Sequence, residues 1–233
     1  MRLTSSPPRA AWARTAAAVP LAALAAACFR GTLPARELYR LRPIPPAVAA
    51  PARDSVASLL AVEPYGTPGV YARPEIVYRV GETEYGTYPN REWALPLGTM
   101  LATVTATSLR QLPGGATRVQ EGTATASAHG LVWRGTVREF EEVDRGARVT
   151  ASVRLEAQLV RASDDSVLWR GSAGAERAVV PPNVMTAVVD SLAAATSAAV
   201  ADLVRDAGPT LRAASVARPS ARTTARLGAG SLP

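Results

Sequence analysis

The sequence predicts an α+β fold of two layers, an antiparallel sheet with two main helices packed on one face. Three observations predict it. From residue 131 to residue 178 apolar and polar residues alternate with a period of two, in runs separated by turn residues. Trp93, Leu97, Leu101, Val104 and Ser108 form a one-sided stripe at helical spacing, and Val184, Val188, Leu192, Ala195, Ala199 and Leu203 form a second. A sheet with one apolar face and helices with one apolar stripe each bury those surfaces most simply against one another.

The elements follow in order. Residues 28–57 read as a linker punctuated by Pro34, Pro43, Pro45, Pro46 and Pro51, with Leu38-Tyr39-Arg40-Leu41 as its one strand-like piece. Ser58 to Glu63 is a short apolar strand ended by Pro64. Glu75 to Val80 is another, and after the Gly81-Glu82 turn Thr83 to Tyr88 returns as a hairpin arm. The period then changes over 91–112, with Pro96 setting φ for a first helical turn and Leu112-Pro113-Gly114-Gly115 as the stop. Three strands of a meander follow, turning at Asp144-Arg145-Gly146 and at Ser163-Asp164-Asp165. Their wet face mixes Arg and Glu, which predicts cross-strand charge pairs. Trp133 and Trp169 fall on the apolar face and are read as core. Pro181-Pro182 ends the sheet, Asn183 is the expected N-cap of the last helix, and Gly208-Pro209 is its expected stop.

Composition excludes several chemistries. The chain of 233 residues has no lysine, one cysteine (Cys28) and one histidine (His129). A Walker A loop, a Schiff-base lysine, a Cys/His zinc site and an intramolecular disulfide are therefore all ruled out. The three arginines of residues 1–27 and the four of residues 208–233, with no acid in either segment, account for the whole net charge of +7. The body is neutral, so no basic face for nucleic acid is expected. Residues 208–233 read as a disordered Arg-rich tail and residues 58–207 as the α+β domain.

Residues 1–27 read as an export signal. Arg2, Arg9 and Arg14 precede an apolar run from Thr15 to Ala27, too short to span a bilayer. Leu24-Ala25-Ala26-Ala27-Cys28 resembles a bacterial lipobox, with the usual leucine one place early. The resemblance implies cleavage between Ala27 and Cys28 and fatty acylation (a diacylglycerol thioether and an acylated amine) at Cys28. Each buried CH₂ contributes about 0.8 kcal/mol, so several chains hold a protein on a membrane stably. Phe29, in place of an aspartate, fits delivery to the outer membrane.

Further motifs carry a second resemblance. They are Glu37-Leu38-Tyr39-Arg40-Leu41, the run Tyr71-Ala72-Arg73-Pro74-Glu75-Ile76-Val77-Tyr78-Arg79, Tyr85, Arg91-Glu92-Trp93-Ala94-Leu95-Pro96-Leu97, and Val137-Arg138-Glu139-Phe140-Glu141. With the Ala-rich last helix, 183–207, their order is similar to that of the ABC-type transport auxiliary lipoproteins. These are partners of MCE-domain systems that move lipid between two membranes. The resemblance implies a noncatalytic lipoprotein subunit facing the periplasm from the outer membrane, bracing or receiving a lipid conduit. Its implied partners are an MCE-domain protein and its ABC permease, with a homo-oligomeric ring as a further option. No cofactor, metal or nucleic acid is expected.

Five aromatic residues lie within 71–93. Tyr71, Tyr78, Tyr85, Tyr88 and Trp93, with Arg79 and Arg91, form the candidate partner interface, because Tyr, Trp and Arg are enriched at interface hot spots. The competing reading is a packing cluster that fixes the hairpin to the first helix. Glu139, Glu141, Glu142 and Asp144 read as a charged strand edge that blocks aggregation. Ser127 and His129 have the residue types of a nucleophile and base, but no orienting acid is evident, and a polar turn is expected there. A lipid- or hydrophobe-binding pocket between helices and sheet is the alternative to the transport role.

Overall fold

The computed structural model describes residues 35–43, 58–112, 117–122 and 130–216. Cys28 and the export signal, Ser127, His129 and the tail beyond residue 216 lie outside the described residues. The strands are β1 (Glu37–Tyr39), β2 (Ser58–Val62), β3 (Glu75–Val80), β4 (Glu84–Trp93), β5 (Thr117–Glu121), β6 (Leu131–Asp144), β7 (Val149–Arg161) and β8 (Val167–Ala178). The helices are α1 (Leu97–Arg110) and α2 (Met185–Val216), and a 3₁₀ turn spans Gly69–Ala72. All eight strands join one mixed sheet, mostly antiparallel, and both helices pack on one face of it, giving the expected two-layer α+β fold.

The long strand β6 organises the sheet. Along one side it pairs antiparallel with β7 over its whole length, and β7 pairs with β8, which is the predicted meander. Along its other side it takes two parallel partners in succession, β2 against Leu131–Trp133 and β3 against Glu142–Asp144. Between them Gly66 continues the ladder, donating its N–H to Gly135 O at 2.9 Å and accepting from Val137 N at 2.9 Å. The chain therefore reads as one interrupted strand from residue 60 to residue 80, with the 3₁₀ turn looped out of it. β4 folds back on β3, while β1 and β5 add parallel to β4 and β2. On the wet face of the meander, Arg138 pairs with Glu156 at 2.7 Å and Arg154 with Glu139 at 3.1 Å, as the alternating charges predict.

The core lies between sheet and helices. Trp133, Phe140, Leu155, Leu159, Leu101, Leu192 and Leu203 are all buried in it. Trp133 donates its indole N–H to the Tyr65 hydroxyl at 3.1 Å, which lies 2.9 Å from the Thr105 hydroxyl of α1. These bonds satisfy three polar groups in an apolar interior. A Cβ on Gly135 would collide with the Tyr65 ring, and one on Gly98 with the Tyr65 carbonyl, so both glycines permit the close seating of this tyrosine.

Several expectations are corrected. Trp93 ends β4 and does not belong to the helix, which begins at Leu97 after Pro96. The hairpin arm is longer than 83–88, reaching Trp93 through an irregularity at Tyr88–Arg91 where Asn90 has a φ of 59°. β5 falls in a stretch to which the sequence assigned no element. Asn183, at φ 63°, precedes the cap; the Val184 carbonyl accepts the first helical bond, from Val188 N at 3.1 Å. α2 does not stop at Gly208-Pro209 but runs through it to Val216. An interior proline costs roughly 3 kcal/mol. Ala207 and Leu211, both buried on either side of it, supply the compensating contacts. The boundary drawn between domain and tail at 207/208 thus falls inside a helix.

Candidate partner interface

The hairpin β3–β4, the 3₁₀ turn and the C-terminal half of β6 meet at one corner of the sheet. A bulge in β6 between Val137 and Glu139 shapes this corner. Beyond it the parity shifts by one, so that Phe140 and Glu142 take the face of Val137 and Glu141 takes the other; both glutamates are buried, at 0% and 4% exposure. They are not a charged edge, because β6 is paired on both sides.

Glu141 is the centre of the first cluster. It accepts hydrogen bonds from the Tyr71 hydroxyl, from Arg79 Nε at 3.1 Å and from Phe140 N at 2.8 Å. Arg79, itself buried, also donates to Gly81 O at 3.0 Å and Glu82 at 3.3 Å. Burial works against the Arg79 charge, but the hydrogen bond and charge of Glu141 outweigh it and hold its pKa above the ordinary value. Burial and the Glu141 carboxylate together push the Tyr71 hydroxyl far up.

Glu142 anchors the second cluster, on the opposite face. The Tyr88 hydroxyl donates to it at 2.9 Å, and its other oxygen is buried without a hydrogen-bond partner. Burial raises its pKa, with a smaller contribution from Asp144, against the opposing bond from Tyr88. Tyr78 and Tyr88 pack with their rings tilted by 55° and centroids 5.0 Å apart, and Tyr78 lies over Gly86, where a Cβ would meet its ring. Arg91 covers the outer side of Tyr88 at 5.9 Å, and Trp93 packs edge-on against Phe140 at 5.8 Å.

The structure gathers all seven residues chosen from the sequence, but separates them by exposure. Tyr71, Arg79 and Trp93 are buried; Tyr78, Tyr88 and Arg91 are half-buried. Their contacts fix the hairpin to β6. Tyr85 is 49% exposed at the hairpin tip, beneath the Arg79 guanidinium at 5.9 Å, and Val80, close by on the other face, is 42% exposed. Glu141 and Glu142 were missed as parts of this corner. Two acids beside an aromatic in Phe140-Glu141-Glu142, opposite a strand bearing Arg79, were the available signal.

One surface cavity, of about 620 Å³, lies on the open face of the meander, and another, of about 400 Å³, beside the β6–β7 turn and the start of α2. Neither lies between helices and sheet. Among the described residues no group of three or more acidic, His or Cys side chains is placed to hold a metal ion.

Residues 39–207 match the family model described as ABC-type transport auxiliary lipoprotein component. No curated protein matches the chain. Among solved structures, the fold is similar to that of protein XCC0632 from Xanthomonas campestris, with 22% identity, a TM-score of 0.61, and coverage of 75% of this chain and 95% of that one. It is also similar to a second structure, described as an uncharacterized protein, with 18% identity, a TM-score of 0.57, and coverage of 74% and 99%. The chain belongs to the ABC-type transport auxiliary lipoprotein component family, and is thus a noncatalytic, membrane-associated component that works with protein partners in a transport complex.

Proposed function

We propose that the chain is the lipoprotein subunit of an ABC/MCE-type lipid transport system, tethered to the outer membrane through lipidated Cys28. In this reading cleavage follows Ala27, the domain faces the periplasm, and it braces or receives the lipid conduit of an MCE-domain protein linked to an ABC permease. The observation that carries the reading is the family match over residues 39–207, preceded in the same chain by a lipobox-like segment ending at Cys28. The hairpin supports a docking role. Its base is pinned by two buried glutamates, and its tip presents Tyr85 and Val80 to solvent. A rigid, partly apolar projection with an arginine over its tyrosine has the makeup of a binding hot spot.

The test is capture of the C-terminally tagged full chain from membranes in mild detergent. The expected result is recovery of an MCE-domain protein or its permease, lost on Tyr85→Ala but kept in a Trp93→Ala variant that folds less stably. A chain recovered alone, with one lipid bound per molecule, would replace this reading with that of a lipid carrier.

A further inference from the structure

The outer edge of β8 presents an unused pairing surface. β8 is a strand of 12 residues that pairs with β7 from one end to the other. Among the described residues no strand covers its other side. At about 3.3 Å per residue it exposes roughly 40 Å of ladder. The other free edges are shorter or interrupted: β1 has 3 residues, β5 has 5, and β4, uncovered over residues 84–90, carries Pro89. Natural edges of this length are usually guarded by a proline, a central bulge or an inward-pointing charge. β8 has no proline, its one irregularity lies near its first residue, its one charge on the helix-facing side, Arg177, stands next to its last, and its centre is Gly171-Ser172-Ala173-Gly174-Ala175. No side chain there is large enough to hold another backbone away.

The charges on this strand specify the occupant. Arg170 and Glu176 lie on the solvent face of β8, and neither is answered across the inner ladder. β7 sets Gln158 opposite Arg170 and Ser152 opposite Glu176. Among the described residues Glu176 has only Arg145, at 3.8 Å, and Arg170 has no ion-pair partner. An antiparallel pairing about a twofold axis through Ala173 places Arg170 directly across from Glu176 of a second copy, and does so twice. It also sets Ser172 across from Gly174 and keeps the helices of both copies on a common side of a continuous sheet. Moving the register by two residues puts Arg170 opposite Gly174 or Ala178 and answers neither charge. Opposite charges directly across an antiparallel pair are stabilising and like charges destabilising.

We infer that β8 is a self-association edge, through which two copies of this chain pair antiparallel in the register centred on Ala173. The interface is isologous, so it closes as a dimer. It is separate from the hairpin tip and does not rest on the transport reading.

The test is sedimentation equilibrium of the full chain in non-ionic detergent over a concentration series. The wild type is expected to dimerise. Arg170→Glu and Glu176→Arg each create two like-charge contacts in the symmetric interface and are expected to weaken dimerisation at least tenfold, about 1.4 kcal/mol. The double variant Arg170→Glu/Glu176→Arg re-forms both pairs and is expected to return close to wild type. Both positions lie on the solvent face, so thermal melts at concentrations low enough to keep every variant monomeric should be unchanged. A second measurement leaves the charges intact: Ala173→Cys in a Cys28→Ser background should form a disulfide-linked dimer on mild oxidation, whereas Arg205→Cys should not. A monomer at every concentration, a dimer indifferent to both single reversals, or an Ala173→Cys variant that cross-links only to a different protein would overturn the inference.

Discussion

Replacing Glu141 by alanine removes the acceptor on which the base of the hairpin is built. The variant leaves Arg79, 7% exposed, without its Nε partner at 3.1 Å, and leaves the Tyr71 hydroxyl and the Phe140 N–H without their acceptor. Breaking a buried ion pair by deleting one member costs about 3–5 kcal/mol, because the remaining charge stays buried and uncompensated. Arg79 keeps Gly81 O and Glu82, but Glu82 is 78% exposed and screened by water, so the cost should fall near the lower end, about 3 kcal/mol. For a domain of this size that lowers Tm by about 6–12 °C. Urea unfolding followed by circular dichroism at neutral pH measures it. Glu141→Gln, which keeps an acceptor but not the charge, should lose less. The triple variant Tyr71→Phe/Arg79→Met/Glu141→Leu should recover most of the loss, since apolar replacement of a whole buried pair is often near neutral. A Glu141→Ala variant that loses under about 1 kcal/mol would refute the claim that this cluster holds the hairpin.

Three further outcomes are expected. Trp93→Ala, which vacates a site buried against Phe140, should cost about 3–5 kcal/mol in the same unfolding assay. Gly135→Ala should cost about 1–3 kcal/mol, because the Tyr65 ring over it is held by Trp133 and Thr105 and cannot swing away. Glu142→Gln should raise Tm at pH 7 and have little effect near pH 3. The folded pKa of Glu142 is raised above its unfolded value, so its contribution to stability is present at low pH and is lost as pH rises through the folded value. A Tm gain that is the same at both pH values would show that burial of the charge is not the cause.

Much of the fold was legible because alternation and helical spacing are local signals. The meander, both helices and the Glu75–Val80 hairpin follow from them directly. Partners are not local. Periodicity tells which face of β2 or β3 is buried, but not that both run parallel to β6 and share one of its sides. β5 reads Thr-Arg-Val-Gln-Glu, a short polar stretch with one apolar residue, and forms a strand only because β2 offers it an edge. Trp93 sits four residues before Leu97, a spacing that mimics a helical stripe across a strand end. Local propensity makes Gly208-Pro209 a helix stop, whereas the burial of Ala207 and Leu211 decides otherwise.

At the candidate site the residue types were legible and their roles were not. Aromatic clustering found the corner. The bulge after Val137 leaves one mark, the shift of the apolar positions from odd to even at Phe140 after Arg138-Glu139, but nothing local says what covers Glu141 and Glu142, so the interior of the corner stayed hidden. Exposure then divides the seven candidates into a base that holds the hairpin and the tip residue Tyr85 that is free to touch a partner.

The most direct test of the docking account is site-specific photocross-linking in the living host. A photoreactive phenylalanine analogue is placed at Tyr85 in the full, lipidated chain, and at Glu156 on the open face of the meander as the comparison. The account predicts that position 85 captures an MCE-domain protein or its permease and that position 156 does not. Capture from position 156 alone, or no protein captured from position 85, would contradict it.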